Sequence, residues 1–174
     1  MSHVNVCGAC GEPICGGWHG AICKARATDW DSRFLALAQH VAQWSKDPST
    51  KVGAVIVDPY RRVMSLGYNG FACGVTDSPE RYANREEKLR MIVHGESNAL
   101  LFARGSVEAC TLYTWPMLSC AQCAAMAINA GIVRVVAPDA TSAQAARWGD
   151  DMAASFRMLD EADVEVCIIR GAGV

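Results

Sequence analysis

Apolar and polar positions follow two patterns along this chain, one typical of helices and one typical of strands. The segment TDWDSRFLALAQHVAQWS, from Thr28, predicts a helix that opens at a Thr or Asp cap and ends before Asp47-Pro48. The runs KVGAVIVD and RVMSLGYN are β-rich and are separated by Pro59-Tyr60. They predict a β-hairpin after the first helix.

The second half of the chain predicts helices and strands in alternation. Residues 70–93 form a polar, charged connection, partly helical around ERYANREEKLRM. After it come a buried helix SNALLFAR, a strand CTLYTW, a short helix AAMAINAG closed by Gly131, a strand IVRVVAP, a helix AARWGDDMAASFRMLDEA and a strand VEVCII. Strands that alternate with helices after an opening hairpin predict an α/β fold, with a mixed sheet covered by helices on both faces.

The composition is that of an ordinary globular protein and narrows the choice of partners. The chain has 174 residues, of which 51% are hydrophobic and 20% charged, which suits one domain with a sizeable core. Its formal net charge of -2 gives no general attraction to nucleic acid or to anionic membranes. Since no apolar run reaches transmembrane length and the N-terminus lacks a signal-peptide core, we expect a cytoplasmic protein with no membrane contact.

The sequence divides into a Cys- and Gly-rich appendage, residues 1–27, and a main domain, residues 28–174. Five side chains of the appendage could bind a metal: Cys7, Cys10, Cys15, His19 and Cys23. A structural zinc site needs four of them, and the spacing does not say which four. The alternatives are a loose, reduced tail or a nucleic-acid-binding knuckle, although only Lys24 and Arg26 flank it as cations. We favour zinc because a segment with so little apolar content hardly folds without a metal.

Three side chains of the main domain have the spacing of a catalytic metal site. His94 is followed by Cys120 and Cys123, and Glu96 stands two positions after the His. One imidazole and two thiolates bind zinc and leave its fourth tetrahedral position open for water. Glu96 is then a carboxylate beside that water, where it can carry protons in a hydrolytic reaction. The alternative is a His and a Cys pair that are unrelated in space and belong to the core.

The local sequence supports this grouping. Cys120 and Cys123 are three positions apart and share one face of a helical turn, with Ser119 as the candidate N-cap. Both sulfurs then lie at the positive end of the helix dipole, which favours thiolate over thiol. His94 and Glu96 can converge only if His94 stands at a helix entrance, because residues two apart do not share a helix face.

From about Phe34 to Val166 the chain resembles the deoxycytidylate (dCMP) deaminases of the cytidine deaminase superfamily. The resemblance is carried by the segments DPSTKVGAVIVD, LGYNGF, DSPERYANREEK, VHGESNALL, TLYTWPMLSCAQCA and INAGIVRVV. The spacing of the His, the Glu and the Cys pair is also similar to the zinc deaminase signature.

The resemblance implies a three-layer sandwich, in which a five-stranded mixed sheet lies between helices. It implies a zinc ion held by His94, Cys120 and Cys123, with Glu96 as the acid and base. It also implies that Asn69 contacts the sugar or the base of a nucleotide. From the sequence alone, Asn69 equally suits an ordinary Asn-Gly turn.

Three departures from the family pattern concern the site. Gly95 stands where the family has Ala, which removes a methyl group and predicts more room beside the pyrimidine. Ser119 replaces the family's Pro, and metal binding should survive because both residues suit a helix start. The stretch from Tyr113 to Cys120 is one residue longer than the family spacing, so the pocket wall around Trp115-Pro116-Met117 is expected to differ.

Several other side chains are candidates for contacts with a nucleotide. The cations that could bind its 5′-phosphate, or the triphosphate of an effector, are Lys51, Arg81, Arg85, Lys88 and Arg90, most of which should be solvated surface charges. Tyr113 and Trp115 either stack on the pyrimidine or are buried against the sheet.

These features predict a zinc-dependent hydrolase that converts free dCMP to dUMP and ammonia. We also expect a homo-oligomer and a nucleotide effector. One alternative is a deaminase that acts on a base within RNA or DNA, which the acidic charge balance disfavours. The other is a non-catalytic zinc-binding regulatory protein, which would have no use for a carboxylate at position 96.

Overall fold

Helices and strands account for most of residues 28–169, the part of the chain that this computed structural model describes. The strands are β1 (Gly53–Val57), β2 (Val63–Tyr68), β3 (Gly70–Phe71), β4 (Ile92–Val93), β5 (Thr111–Trp115), β6 (Arg134–Pro138) and β7 (Glu165–Ile169). The helices are α1 (Asp29–Ala42), α2 (Pro79–Ala83), α3 (Arg85–Met91), α4 (Gly95–Phe102), α5 (Ala121–Asn129) and α6 (Ser142–Glu161). No helix in this range is long and apolar enough to cross a membrane. The metal ligands expected in residues 1–27 lie outside the described residues and stay a prediction.

Five strands form one mixed sheet in the order β2-β1-β5-β6-β7. Strand β1 pairs antiparallel with β2 and β5, so that Val55 lies opposite Leu66 on one side and Tyr113 on the other. The β5–β6 and β6–β7 pairs are parallel. The predicted hairpin and mixed sheet are therefore confirmed. Strands β3 and β4 add a two-stranded ribbon that the sequence did not predict.

Helices cover both faces of this sheet. Every residue of β1 is buried, as expected for a strand with neighbours on both sides and helices on both faces. On one face, Val55 belongs to a cluster with Phe34 of α1. On the other face, Ile56 belongs to a cluster with Ala99 of α4 and Leu159 of α6. The predicted three-layer sandwich is confirmed.

A buried carboxylate fixes the start of α1 against the sheet. Thr28 caps α1 and forms a capping box with Asp31, which confirms the predicted Thr cap. The Asp31 carboxylate also accepts hydrogen bonds from Arg134 at 2.6 Å and from the Tyr113 hydroxyl at 2.8 Å. Burial alone would raise the pKa of Asp31, but these hydrogen bonds lower it to about 2. The ionised carboxylate thus ties α1 to β5 and β6.

A glycine brings the opposite helix close to the sheet. A Cβ at Gly67 of β2 would lie 2.2 Å from the carbonyl oxygen of Gly95 and 2.3 Å from the amide nitrogen of Ala99. Both atoms belong to the backbone of α4, so any side chain at position 67 would push that helix away. The direct contact of β2 with α4 sets the position of the N-terminus of α4, where the predicted site begins.

Candidate active site

The three predicted metal ligands come together at the N-termini of two helices. His94 is the N-cap residue of α4 and follows β4, while Cys120 is the N-cap residue of α5 and Cys123 lies in its first turn. The Nδ1 atom of His94 lies 3.4 Å from Cys120 Sγ and 3.5 Å from Cys123 Sγ. Ligand atoms of all three residues lie within 4.8 Å of one another. The grouping therefore has the compactness that a single metal ion requires.

The structure agrees with the expected helix entrance at His94 and corrects the expected cap of α5. Cys120, not Ser119, is the N-cap residue, and its sulfur accepts a hydrogen bond from the Cys123 amide at 3.4 Å. The sulfur takes the place that a Ser hydroxyl would occupy, while Ser119 lies one position too early and is buried. Cys120 therefore combines a capping contact with a place in the cluster.

The electrostatics of this cluster suit a bound cation. Interactions with the Cys123 side chain and the His94 imidazole lower the pKa of Cys120 to about 4, which favours its thiolate. The interaction with Cys120 and burial raise the pKa of Cys123. Two thiolates this close would repel each other, and a divalent cation bound between them would offset this electrostatic repulsion. Two sulfurs and one imidazole nitrogen are a donor set that fits zinc.

Glu96 lies beside the cluster, in the first turn of α4. Its side chain is buried, and its Oε2 atom has no hydrogen-bond partner among residues 28–169. Burial raises the pKa of Glu96 above the usual carboxyl range, against a lowering contribution from His94. A raised pKa makes the carboxylate a better proton acceptor, which suits a group that takes a proton from water.

A cavity opens over His94, Glu96 and Cys120. Four segments form its remaining walls: residues 47–52 with Asn69, the α3–β4 segment, the loop before α5, and one face of α6. Their lining side chains are Asp47, Ser49, Thr50, Val52, Asn69, Arg85, Lys88, Leu89, Ile92, Pro116, Met117, Leu118, Arg147, Trp148, Asp151 and Met152. The predicted Pro116-Met117 wall is thus present. The α6 wall was missed by the sequence analysis.

Helix α6 also contacts the cluster itself. Asp151 accepts a hydrogen bond at 3.2 Å from the amide of Ala121, the residue after Cys120. That amide belongs to the first turn of α5 and has no partner within its own helix. The spacing of residues 147, 148, 151 and 152 places them on one helical face, but that pattern does not reveal which neighbour the face meets.

Asn69 is buried in the cavity wall, where its side-chain amide is already hydrogen-bonded. Its Oδ1 accepts from the Val52 amide at 2.7 Å, and its Nδ2 donates to the Thr50 carbonyl at 2.9 Å. These bonds fix the segment that carries Ser49 and Thr50 into the cavity. The structure therefore gives Asn69 a shaping role, and its predicted contact with a nucleotide stays a prediction.

The structure separates the five predicted phosphate-binding cations. Arg85 and Lys88 line the cavity, whereas Lys51, Arg81 and Arg90 are not among its lining residues. Lys88 is buried and paired with Asp47 at 3.0 Å.

The cavity holds two arginines whose charges are not neutralised. Within residues 28–169, Arg85 forms no ion pair, and neither does Arg147, which the sequence analysis missed. Arg147 instead lies over the ring of Trp148, with its Cζ 5.0 Å from the ring centroid. Two unpaired guanidinium groups therefore remain available to an anion.

The extra room predicted from Gly95 is not found. A Cβ at Gly95 would meet the Val52 carbonyl oxygen at 3.1 Å and the Val52 Cγ1 at 3.2 Å. A methyl group at position 95 would fit only if Val52 moved by a few tenths of an ångström, so Gly95 permits close packing against Val52 instead of enlarging the cavity.

Tyr113 and Trp115 were expected either to stack on the pyrimidine or to be buried against the sheet, and the structure shows burial against the sheet. Tyr113 bonds to Asp31 on the α1 side, and Trp115 packs against the cluster on that same face.

With this geometry established, comparison with known proteins identifies the family. The model of the cytidine and deoxycytidylate deaminase zinc-binding region matches residues 28–138. An "uncharacterized deaminase in luxG 3′ region" of Aliivibrio fischeri is 42% identical over 137 residues, which are 79% of this chain and 91% of that protein. A "probable deoxycytidylate deaminase" of Drosophila melanogaster is 35% identical over 147 residues, covering 78% of this chain and 70% of that one.

The chain therefore belongs to the cytidine and deoxycytidylate deaminase family and is a zinc-dependent hydrolytic deaminase. The fold agrees as well. The crystal structure of dCMP deaminase from the cyanophage S-TIM5, in apo form, superposes with a TM-score of 0.62 at 22% identity, over 80% of this chain and 96% of that chain.

Proposed function

We propose that this enzyme deaminates a free cytosine deoxynucleotide, converting dCMP and water to dUMP and ammonia. The observation that carries the proposal is the compact His94, Cys120 and Cys123 cluster with the buried Glu96 beside it, at the floor of one cavity. The Drosophila relative, named a probable deoxycytidylate deaminase, supports this choice of substrate.

Zinc would be held by the imidazole of His94 and the sulfurs of Cys120 and Cys123. When bound, it supplies Lewis-acid chemistry, because zinc lowers the pKa of water and makes a hydroxide available near neutral pH. The position of all three side chains at helix N-termini favours the thiolate forms that the metal needs.

Glu96 would carry the protons of the reaction. It takes one from the attacking water and delivers it to the ring nitrogen next to the carbon that bears the amine. The oxygen bonds to that carbon as a hydroxyl group. Glu96 then takes the proton of this hydroxyl group and passes it to the amine nitrogen, the carbon–nitrogen bond breaks to release ammonia, and the carbon–oxygen bond becomes the carbonyl of the product. Its burial shields these transfers from bulk solvent, and its raised pKa makes the carboxylate a better acceptor of the proton from water.

The remaining walls of the cavity suit a mononucleotide. Asn69 and the segment it holds would face the sugar or the base. Arg85 and Arg147 would bind the 5′-phosphate, since each lines the cavity and neither is neutralised by an acid within residues 28–169. A free nucleotide also suits the acidic charge balance of the chain, which a nucleic-acid polymer does not.

Free nucleotides are cytoplasmic metabolites, so we propose a cytoplasmic location for the enzyme.

We further propose that the enzyme is a homo-oligomer that buries the outer face of α4. Leu101 and Phe102 are 67% and 62% exposed, and Met126 of α5 adds a third exposed apolar side chain. Adjacent exposed apolar side chains of this size are typical of contact surfaces between proteins. Light scattering should give a mass above one chain, and Leu101→Glu should lower it.

An ammonia-release screen tests the proposed substrate. The zinc-loaded protein is offered deoxycytidine, dCMP, dCTP and a single-stranded oligonucleotide that contains cytosine. We expect dCMP to have the highest kcat/KM. Arg85→Ala and Arg147→Ala should lower kcat/KM for dCMP without affecting deoxycytidine. Arg104 is exposed and does not line the cavity, so Arg104→Ala is the matched control. Preference for the oligonucleotide, with a steep dependence on salt, would support a polymer substrate instead.

A further inference from the structure

A hydroxyl group of α4 lies against the metal-binding cluster. The Oγ atom of Ser97 is 3.5 Å from the Sγ atom of Cys123, which belongs to α5. Because sulfur is a larger atom than oxygen, this separation is a hydrogen-bond distance. Ser97 comes three positions after His94, and residues three apart share one side of a helix. The same side of α4 therefore carries a proposed metal ligand and a hydroxyl that meets another.

Two sulfur atoms lie within reach of the single proton of this hydroxyl. The Sδ atom of Met126 is also near Ser97 Oγ, at 3.6 Å. A thioether is a weak acceptor, whereas a thiolate carries a negative charge and accepts a stronger, charge-assisted hydrogen bond. A cysteine that binds a metal does so as the thiolate, which has no proton to donate. Distance and charge therefore both favour donation from Ser97 to Cys123.

With this contact, each sulfur of the cluster accepts a hydrogen bond from a group that does not bind the metal. Cys120 Sγ accepts from the Cys123 amide at 3.4 Å, and Cys123 Sγ accepts from Ser97. Two thiolates cancel the double positive charge of zinc, which weakens it as a Lewis acid. A hydrogen bond to a thiolate draws negative charge away from the metal–sulfur bond. Partners of this kind orient metal ligands and tune the metal.

We propose that Ser97 is a positioning residue for the metal ligand Cys123, because its hydroxyl donates a hydrogen bond to the Cys123 thiolate. The bond holds the sulfur in place and keeps the bound metal a stronger Lewis acid. This inference rests on the proposed ligand set of His94, Cys120 and Cys123. Ser97 is not among the residues that line the cavity, so it acts through Cys123 and not on the substrate.

Replacing zinc with cobalt gives this bond an optical signature. Co²⁺ binds the same kinds of ligand, and its bonds to thiolates produce charge-transfer bands in the near ultraviolet. A hydrogen bond stabilises the sulfur electrons and moves these bands to shorter wavelength. We expect the bands of Ser97→Ala to lie at longer wavelength, and those of Ser97→Thr, which keeps the hydroxyl, to be native-like. Alanine is a better helix former than serine, so Ser97→Ala should fold.

Two further variants identify the acceptor. Met126→Leu removes the competing sulfur and should leave the spectrum unchanged, because the hydroxyl already bonds to Cys123. Ser142→Ala is the matched control, since Ser142 is an exposed helical serine that does not line the cavity. Native-like bands in Ser97→Ala would overturn the inference. Bands that move to shorter wavelength in Met126→Leu would also overturn it, since they would show that the hydroxyl had been bonded to Met126.

Kinetics measure what the bond contributes to the reaction. With zinc content unchanged, Ser97→Ala should have a kcat for dCMP about tenfold lower, the lower end of the effects typical of groups that support metal ligands. An unchanged kcat would overturn the positioning role. The cobalt spectra do not depend on turnover, so a native protein inactive on dCMP would contradict the proposed substrate alone. Cobalt bound without thiolate bands would contradict the proposed ligand set, and this inference with it.

Discussion

The contact between β2 and α4 predicts a graded response to single added methyl groups. Gly67, Gly95 and Gly70 lie close together in the fold, but their surroundings differ. A Cβ at Gly67 would meet three backbone atoms of α4 at 2.2, 2.3 and 2.8 Å. A Cβ at Gly95 would meet Val52 at 3.1–3.3 Å, and a Cβ at Gly70 would meet nothing within 4 Å.

These distances set the change in the free energy of unfolding that we expect from each substitution. Backbone atoms cannot rotate away, so Gly67→Ala should force α4 outward and destabilise the protein by about 3 kcal/mol or more, the upper range for overpacking. Gly95→Ala requires a shift of a few tenths of an ångström, partly offset by better helix propensity, and should cost about 1 kcal/mol or less. Gly70→Ala should be neutral or stabilise by about 0.5 kcal/mol, because alanine restricts the unfolded chain.

Urea unfolding of the three variants, each with its zinc content measured, checks this order. Gly67→Ala should also bind zinc more weakly, because the displaced helix carries His94. Gly70→Ala is the matched control, since it adds the same methyl group in open space. Equal stability of Gly67→Ala and Gly70→Ala would refute the idea that direct helix–sheet contact positions the site.

Further predictions concern the metals and a buried ion pair. Cys120→Ala and Cys123→Ala should each lose the catalytic zinc, and metal analysis with unchanged stoichiometry would contradict the ligand assignment. The 174-residue chain should bind about two zinc ions and a variant without residues 1–27 about one; one zinc in the 174-residue chain would refute a structural site there. The pKa of Asp31, lowered from 3.8 to about 2, should stabilise the fold by about 2 kcal/mol above pH 4, an advantage lost as the pH falls toward 2. Asp31→Asn should therefore lower the free energy of unfolding at pH 7 more than at pH 3, and an equal loss at both would sink that explanation.

Local rules were sufficient for most of the helices, for the five strands of the main sheet and for the metal-binding cluster. The Thr28 cap, the continuous apolar run of β1 and the spacing of Cys120 and Cys123 are short-range features, which can be recognised within one turn or one strand. His94 could be placed at a helix entrance because residues two positions apart do not share a helix face. The side chains of His94 and Glu96 could therefore meet only if His94 preceded the helix. Zinc in proteins binds so few kinds of side chain that a small number of residues is enough to identify a zinc site in a sequence.

Features that depend on distant packing could not be predicted. Strands β3 and β4 have two residues each, too few for any pattern. The helical segment predicted around ERYANREEKLRM is two helices, because Asn84 ends α2 and caps α3. The wall formed by α6 depends on where that helix docks, and the room expected from Gly95 depended on Val52, 43 positions earlier in the chain.

The proton-carrying role of Glu96 is the central claim, and one comparison tests it most directly. Native protein and Glu96→Gln, each loaded with zinc to the same stoichiometry, are given dCMP while ammonia and dUMP are measured together. The native protein should release one ammonia for each dUMP formed, and Glu96→Gln should be slower by about 10²- to 10⁴-fold with its zinc retained. Turnover by the metallated variant at the native rate, or a native protein that releases no ammonia from dCMP, would contradict the account.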